Sequence, residues 1–366
     1  MLTTRRFRQV PLALLAAVSL AGCGEAPVQK KEPAPVAGPA VFEPHSGESH
    51  LGELRKLTSG GENAEAYFSF SGDSLIFQST RPPYECDQIF SVSIAGGPSA
   101  LVSSGLGRTT CAYFLPGDEQ VIYSSTHLGG DACPPPADHS QGYVWALYPS
   151  YDVFRRDASG GETHRLTDTP GYDAEATVSP QGDRIVFTSM RDGDLDIYSM
   201  ALDGGDVLRL TNELGYDGGP FFSPDGSKIV YRAYHPQDAE EAAEYRRLLD
   251  QNLIRPSQLD IWVMDADGAN KKKVTDLGAA SFAPFFHPSG EKIIFSSNHH
   301  DESPERREFD LFLVGVDGAG LEQVTFTPEF DGFPMFSPDG EWLVFASNRH
   351  HDAPRETNIF VTRWRD

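Results

Sequence analysis

The sequence predicts an all-β protein, a six-bladed β-propeller. Three observations carry this: a strand-and-turn unit that recurs six times, a spacing from one unit to the next that never changes, and a composition dense in turn residues. Ser223-Pro224-Asp225-Gly226 leads into Lys228-Ile229-Val230-Tyr231, and Ser337-Pro338-Asp339-Gly340 leads into Trp342-Leu343-Val344-Phe345. Matching runs end at Phe77, Tyr123, Phe187 and Phe295. A second run follows each of these, at Ile89-Phe90, Val153-Phe154, Ile197-Tyr198, Ile261-Trp262, Leu311-Phe312 and Ile359-Phe360. Apolar residues alternate at period two between Gly, Pro and Asp turns, as short antiparallel strands require. The 35 Gly and 27 Pro among 366 residues fit that many turns.

Taken from the N-terminus, Met1 to Arg8 carries three arginines, and an apolar stretch then runs from Val10 to Leu20. Such a stretch is shorter than the ~20 residues needed to span a bilayer, and with its charged flank it reads as a signal peptide over residues 1–22. Leu20-Ala21-Gly22-Cys23 resembles the lipobox of bacterial lipoproteins, which implies that Cys23 is the acylated first residue of the mature chain. By the sorting pattern of such lipoproteins, Gly24 after the cysteine implies the periplasmic face of an outer membrane. Residues 23–51, with Pro27, Pro33, Pro35, Pro39 and Pro44, read as an extended tether.

Residues 52–366 hold the blades. The first run of each unit is taken as strand b and the second as strand c. Leu166-Thr167, Leu210-Thr211, Val274-Thr275 and Val324-Thr325 end strand d. Four strands per unit match a propeller blade. From each strand c aromatic to the next strand b aromatic the interval is 33 residues, as from Phe90 to Tyr123 or Phe312 to Phe345. From b to c within a blade it is 13, 31, 11, 31, 17 and 15. All length variation therefore falls in the b–c loops, which share a face with the d–a connections. The sixth unit reaches only strand c, and Leu54-Arg55-Lys56-Leu57-Thr58 is expected to supply its fourth strand.

Two b–c loops are longest. Residues 128–150 contain Pro134-Pro135-Pro136 and then Tyr143, Trp145 and Tyr148, an aromatic loop suited to capping the pore or holding a ligand. Residues 238–254 place Ala242, Tyr245, Leu249 and Leu253 along one face, which predicts a short amphipathic helix in blade four.

Ser-Pro-Asp-Gly before a β-run, followed by Asp-Ile-Tyr and Asp-Gly-Gly turns, resembles the propeller of the TolB family over residues 52–366. No α/β domain of the kind that precedes the propeller in TolB itself is read here. Within this family and its relatives the resemblance implies protein-docking platforms, substrate gates on serine peptidases or metal-dependent active sites, so function must be argued from the site.

Offsets from the strand b aromatic compare the blades directly. Four residues after it stand Arg81, His127, Arg191, His235, His299 and Arg349, and fourteen before it Asn63, Thr109, Asp173, Asp217, Ser281 and Asp331. Both sets are expected to ring the pore mouth, as pairs within the scaffold or as a ligand site. Histidine can ligate a metal or exchange a proton where arginine cannot. His127, His235 and His299, with His300 and His350 nearby, are therefore the candidate metal ligands. At offset minus twelve stand Glu65, Cys111 and Glu175. Two carboxylates in one pocket can do acid–base work. Cys86, Cys111 and Cys133 should lie on one side of this face and form one disulfide, leaving one thiol free.

The net charge of −23 excludes a nucleic-acid binder, which needs excess cations. The absence of a G-x-S-x-G elbow excludes a complete serine peptidase, and no P-loop or dinucleotide fingerprint occurs. The sequence thus points to a lipid-anchored envelope propeller that binds a protein, peptide or glycan on its loop-bearing face. No catalytic residue and no cofactor is assigned. The alternative is a metal-dependent hydrolase or lyase with a His/carboxylate site at the pore mouth.

Overall fold

The computed structural model describes residues 38–303 and 305–366. The signal segment, Cys23 and the first part of the tether lie outside them. Six antiparallel sheets of four or five strands form the blades. Their innermost strands a are Glu62–Phe68, Thr109–Phe114, Asp173–Val178, Tyr216–Phe222, Ser281–Phe286 and Asp331–Phe336. Each packs against the innermost strands of both neighbouring blades, and the cycle closes from the sixth back to the first.

Each blade is built on a cross-strand aromatic pair. Phe77 lies opposite Phe90, Tyr123 opposite Phe154 and Phe187 opposite Tyr198 in register, and the same holds for Tyr231–Trp262, Phe295–Phe312 and Phe345–Phe360. Their centroids are 5.9 to 6.5 Å apart. Such pairs contribute about 0.5–1.5 kcal/mol beyond their buried area. This is why an aromatic recurs at both positions.

Strand d is short and is latched by a side chain. The hydroxyl of Ser103, Thr167, Thr211, Thr275, Thr325 or Thr58 accepts the first apolar amide of strand c, from Ile89, Val153, Ile197, Ile261, Leu311 or Ile359. Thr58 shows that the expected N-terminal closure is made: Leu51–Lys56 pairs with the sixth strand c, Asn358–Trp364. The turns use Asp in a similar way. Hydrogen bonds from Ser223 and Ser227 pull Asp225 down to about 2, tying the Ser-Pro-Asp-Gly corner.

The ordered fold starts earlier than the expected end of the tether. Ala40–Phe42 adds a fifth strand outside Leu51–Lys56, and Glu48 is buried against the guanidinium of Arg349 at 3.0 Å. A buried ion pair and the stacking of Phe42 on His350, 3.9 Å between centroids, hold this segment on blade six.

The two long b–c loops join each other. Trp145–Ala146 from blade two pairs antiparallel with Leu253–Ile254 from blade four. The Leu147 amide donates to the Asn252 carbonyl at 2.8 Å. Helix α1 spans Ala239–Leu249, capped by Asp238, which accepts from the amides of Glu240 and Glu241. It ends before Leu253, because that residue is drawn into the strand pair with Ala146. Tyr245 and Leu249 of the helix pack in one apolar cluster with Leu147, Tyr172, Leu195 and Tyr216. The two insertions therefore make one lid across blade three. The disulfide joins Cys86 to Cys133, stapling the first b–c loop to the base of the second, and Cys111 is free and buried.

Candidate functional site

The residues at offsets minus fourteen and plus four form clamps inside each blade. Asn63, Thr109, Asp173, Asp217, Ser281 and Asp331 are all buried, at most 1% exposed. Arg81 donates to Asn63, Arg191 to both oxygens of Asp173 at 3.1 and 3.2 Å, and Arg349 to Asp331. Where histidine replaces arginine it stays in its own blade. His127 lies 2.8 Å from the Ser125 hydroxyl, His235 lies 2.9 Å from Asp217, and His299 packs edge-on against Phe312. The cations and imidazoles rest over the blade aromatics, as Arg191 does 5.0 Å from the Phe187 centroid.

This corrects the expectation that the two sets line the pore mouth. The arginines fold back onto their own strands because a buried carboxylate or amide and an aromatic face await them there, so the pairing within the scaffold is what the fold makes of these positions. Among the described residues, no group of three adjacent potential metal ligands contains more than one of the ring histidines. His350 is likewise taken up by its stack on Phe42. His300 sits 2.9 Å from Asp310 and 3.5 Å from Glu308.

The ring around the axis stands at offset minus twelve. Glu65, Cys111, Glu175, Gly219, Ala283 and Phe333 all have φ between +49° and +59°. Each coincides with a bulge that breaks the a–b register, as between Gly218 and Phe221. Only one of the six is glycine, although a side chain in this left-handed region is disfavoured. The fold accepts that strain at five positions and so presents five side chains to the channel.

The ring is divided. Gly219, Ala283 and Phe333 make an apolar half, and Glu65, Cys111 and Glu175 a polar half. Beneath it, two residues further along strand a, Tyr67, Tyr113, Phe221 and Phe285 pack ring to ring at 5.4 to 6.4 Å. They form an aromatic floor.

The two carboxylates differ. Glu175 is tied into a network: it accepts from Arg232, from Thr188 at 2.7 Å and from the Gly219 amide at 2.8 Å. Arg232 also donates to the Tyr216 hydroxyl at 2.8 Å. It reaches Glu175 over Gly219, where a Cβ would lie 2.5 Å from its Nη1. Burial works against the Arg232 charge, but Glu175, Tyr216 and Glu65 outweigh it and hold the guanidinium protonated. The indole of Trp145, from the lid, lies 5.2 Å from the same guanidinium.

Glu65 has weaker partners, the Cys111 thiol at 3.0 Å and the Tyr67 hydroxyl at 3.4 Å. Burial raises it to about 6, against the opposing pull of the Cys111 hydrogen bond and Arg232. Glu65 is the channel carboxylate poised to change charge near neutral pH. Burial and the neighbouring Glu65 and Glu175 push the Cys111 thiol well up. That disfavours a thiolate nucleophile.

Arg232 was not singled out by sequence, yet a signal existed. One residue after the strand b aromatic stand Gln78, Ser124, Thr188, Arg232, Ser296 and Ala346. A cation at only one of six equivalent positions, beside the Gly218-Gly219 pair, marks blade four as different.

Residues 148–244 match the family model described as the TolB beta propeller domain. An uncharacterized protein of Agrobacterium fabrum is 28% identical over 207 residues, which is 50% of this chain and 62% of that protein. The chain thus spans less than two thirds of that relative's length. Among solved structures, a protein provisionally named TolB from Agrobacterium tumefaciens superposes with a TM-score of 0.53 at 21% identity, over 84% of this chain and 91% of that one. An oligogalacturonate lyase in complex with manganese superposes with a TM-score of 0.52 at 13% identity, over 91% and 97%. At such identities the likenesses speak for the fold. Among the described residues no helix is long and apolar enough to cross a membrane.

Proposed function

We propose that this propeller, part of which matches the TolB beta propeller domain, is a binding module of the cell envelope. In this reading Cys23 carries the lipid anchor on the periplasmic face of an outer membrane, and the loop-bearing face docks a protein, peptide or glycan. The observation that carries it is the joined lid of residues 128–150 and 235–255 over the divided ring. It unites the two longest b–c loops in one surface, and Trp145 connects that surface to Arg232 at the axis. Rigid scaffolds commonly carry recognition on such loops.

Exposed side chains on the lid suit recognition. Tyr143 is 67% exposed and stacks on His139, offering an aromatic face with a polar tip. Aromatic residues with both characters are enriched in binding surfaces. Below the lid, one titratable carboxylate faces an apolar half-ring. A hydrolase or lyase site built from several ring histidines together is not what these positions form, since among the described residues no group of three potential ligands holds more than one of them.

The test is a pair of measurements on the full chain. Palmitate labelling in cells should be lost in Cys23→Ser. Crosslinking from a photo-reactive residue at position 143 should give discrete adducts in envelopes, and Trp145→Ala, with folding checked by circular dichroism, should abolish them. Adducts unchanged by Trp145→Ala, or none at all, would refute docking on this face.

A further inference from the structure

The clamp that pairs offsets minus fourteen and plus four is solved differently in blade four. In blades three and six the acid meets arginine, whose several N–H groups cover both carboxylate oxygens: Arg191 on Asp173, Arg349 on Asp331. In blades two and five, where the plus-four residue is also histidine, the minus-fourteen residue is neutral, Thr109 or Ser281. Only blade four sets histidine against aspartate. An imidazole brings a single nitrogen to the carboxylate, and His235 Nε2 takes Oδ1 at 2.9 Å. Oδ2 of Asp217 is left buried without a hydrogen-bond partner, on a residue 0% exposed. A buried carboxylate oxygen without a partner is costly and calls for one, an ordered water or a cation.

The turn ahead of strand a brings a third group to the same place. Glu213 carries its carboxylate close enough that one ligand atom from each of Glu213, Asp217 and His235 lies within 4.8 Å of the others. The turn comes this near because residue 215 is glycine: with φ at +144°, a Cβ there would sit 2.2 Å from the Tyr234 carbonyl oxygen and 2.8 Å from the His235 ring.

We infer that Glu213, Asp217 and His235 form a divalent-cation site of the zinc type. One imidazole nitrogen and two carboxylate oxygens are a suitable donor set, and the exposed side of Glu213 leaves room for water or a ligand in the fourth position. The cation supplies the second oxygen of Asp217 with the positive partner that arginine supplies in blades three and six. It also has a mechanical consequence. His235 stands at the root of the blade-four insertion, just before the Asp238 cap of the helix, so a bound cation ties the d–a turn to the base of the lid. This site is separate from the channel ring and does not depend on partner docking.

The full chain, stripped with EDTA and titrated calorimetrically with zinc, should take up one equivalent at this site. His235→Arg rebuilds the clamp of blades three and six, so it should keep the unfolding temperature of the metal-free protein while losing that equivalent. Asp217→Asn should weaken zinc by more than the roughly 10–100-fold that loss of an outer-shell partner costs. Zinc should raise the unfolding temperature of the wild type and not that of His235→Arg. No zinc uptake by the wild type, or unchanged uptake by His235→Arg, would overturn the assignment. So would an equivalent that disappears in His300→Ala and persists in His235→Arg, because it would lie at Asp310.

Discussion

Glu65→Gln is the sharpest probe of the channel. The ordinary value of the carboxyl is 4.5, and burial raises it to about 6 in the fold. The folded protein thus holds the proton more tightly than the unfolded chain. The corresponding stability is fully present below 4.5 and is lost as the pH rises through 6. A shift of about 1.5 units at 1.36 kcal/mol each comes to about 2 kcal/mol. Glutamine keeps the shape and an acceptor for Cys111 and Tyr67 but cannot ionise. Its stability relative to wild type should therefore improve by about 2 kcal/mol between pH 4.5 and 7.5. For a propeller of this length, at ~2.1 cal/mol/K of unfolding entropy per residue, that is about 3 °C. Thermal unfolding of both proteins at the two pH values reads the difference of differences, from which groups titrating alike in both proteins cancel. A gap that stays constant with pH, or one that favours glutamine more at pH 4.5, would refute the assignment of Glu65 as the channel's titrating group.

Two further outcomes follow from the same network and from its counterpart in blade five. Arg232→Met leaves Glu175 buried without its cation and should cost about 3–5 kcal/mol by urea unfolding; adding Glu175→Gln should recover much of it, and a single-variant loss under ~1 kcal/mol would contradict the network. In blade five the strand c acid Asp310 is raised to about 7, chiefly by burial. The equivalent acids Asp152, Asp196 and Asp260 meet Arg165, Arg209 and Lys273 from strand d, whereas strand d offers Asp310 only Gln323, with His300 at 2.9 Å on its other side. Gln323→Arg should lower the Asp310 value and raise stability more at pH 8 than at pH 5, since the wild type loses this contribution as the pH rises through 7. Equal gains at both pH values would count against it.

Much of the architecture was legible because a propeller repeats one local solution. Period-two alternation, Ser-Pro-Asp-Gly corners and the 33-residue frame each follow from forces within a few residues or between adjacent strands. The unit they build recurs six times, so chance matches average out. The Thr58 closure was legible for the same reason, as the sixth instance of the latch that ends strand d. The disulfide was narrower in sequence than it was certain: three cysteines on one side left the pair open, and the fold selects Cys86 and Cys133.

The channel was harder to read. An offset shows that residues are equivalent, but a bulge decides where they point. The bulge in strand a turns Glu65, Cys111 and Glu175 toward the axis, while Asp173 and Asp217, two residues earlier, face into their own blades. The meeting of residues 145–146 with 253–254 is a contact between segments more than a hundred residues apart, and no local pattern announces it.

What residue order settled, then, is the repeat: the strands, their turns, the six-fold frame and the face on which the loops vary, since local sterics and period-two burial write themselves directly into sequence. The assembled ring settled the rest. It brought Arg232 to Glu175 across a glycine and gave Glu65 only Cys111 and Tyr67, because the partners at the axis come from neighbouring blades, and it left one oxygen of Asp217 bare, because how much of a carboxylate a partner covers is decided by geometry and not by residue order.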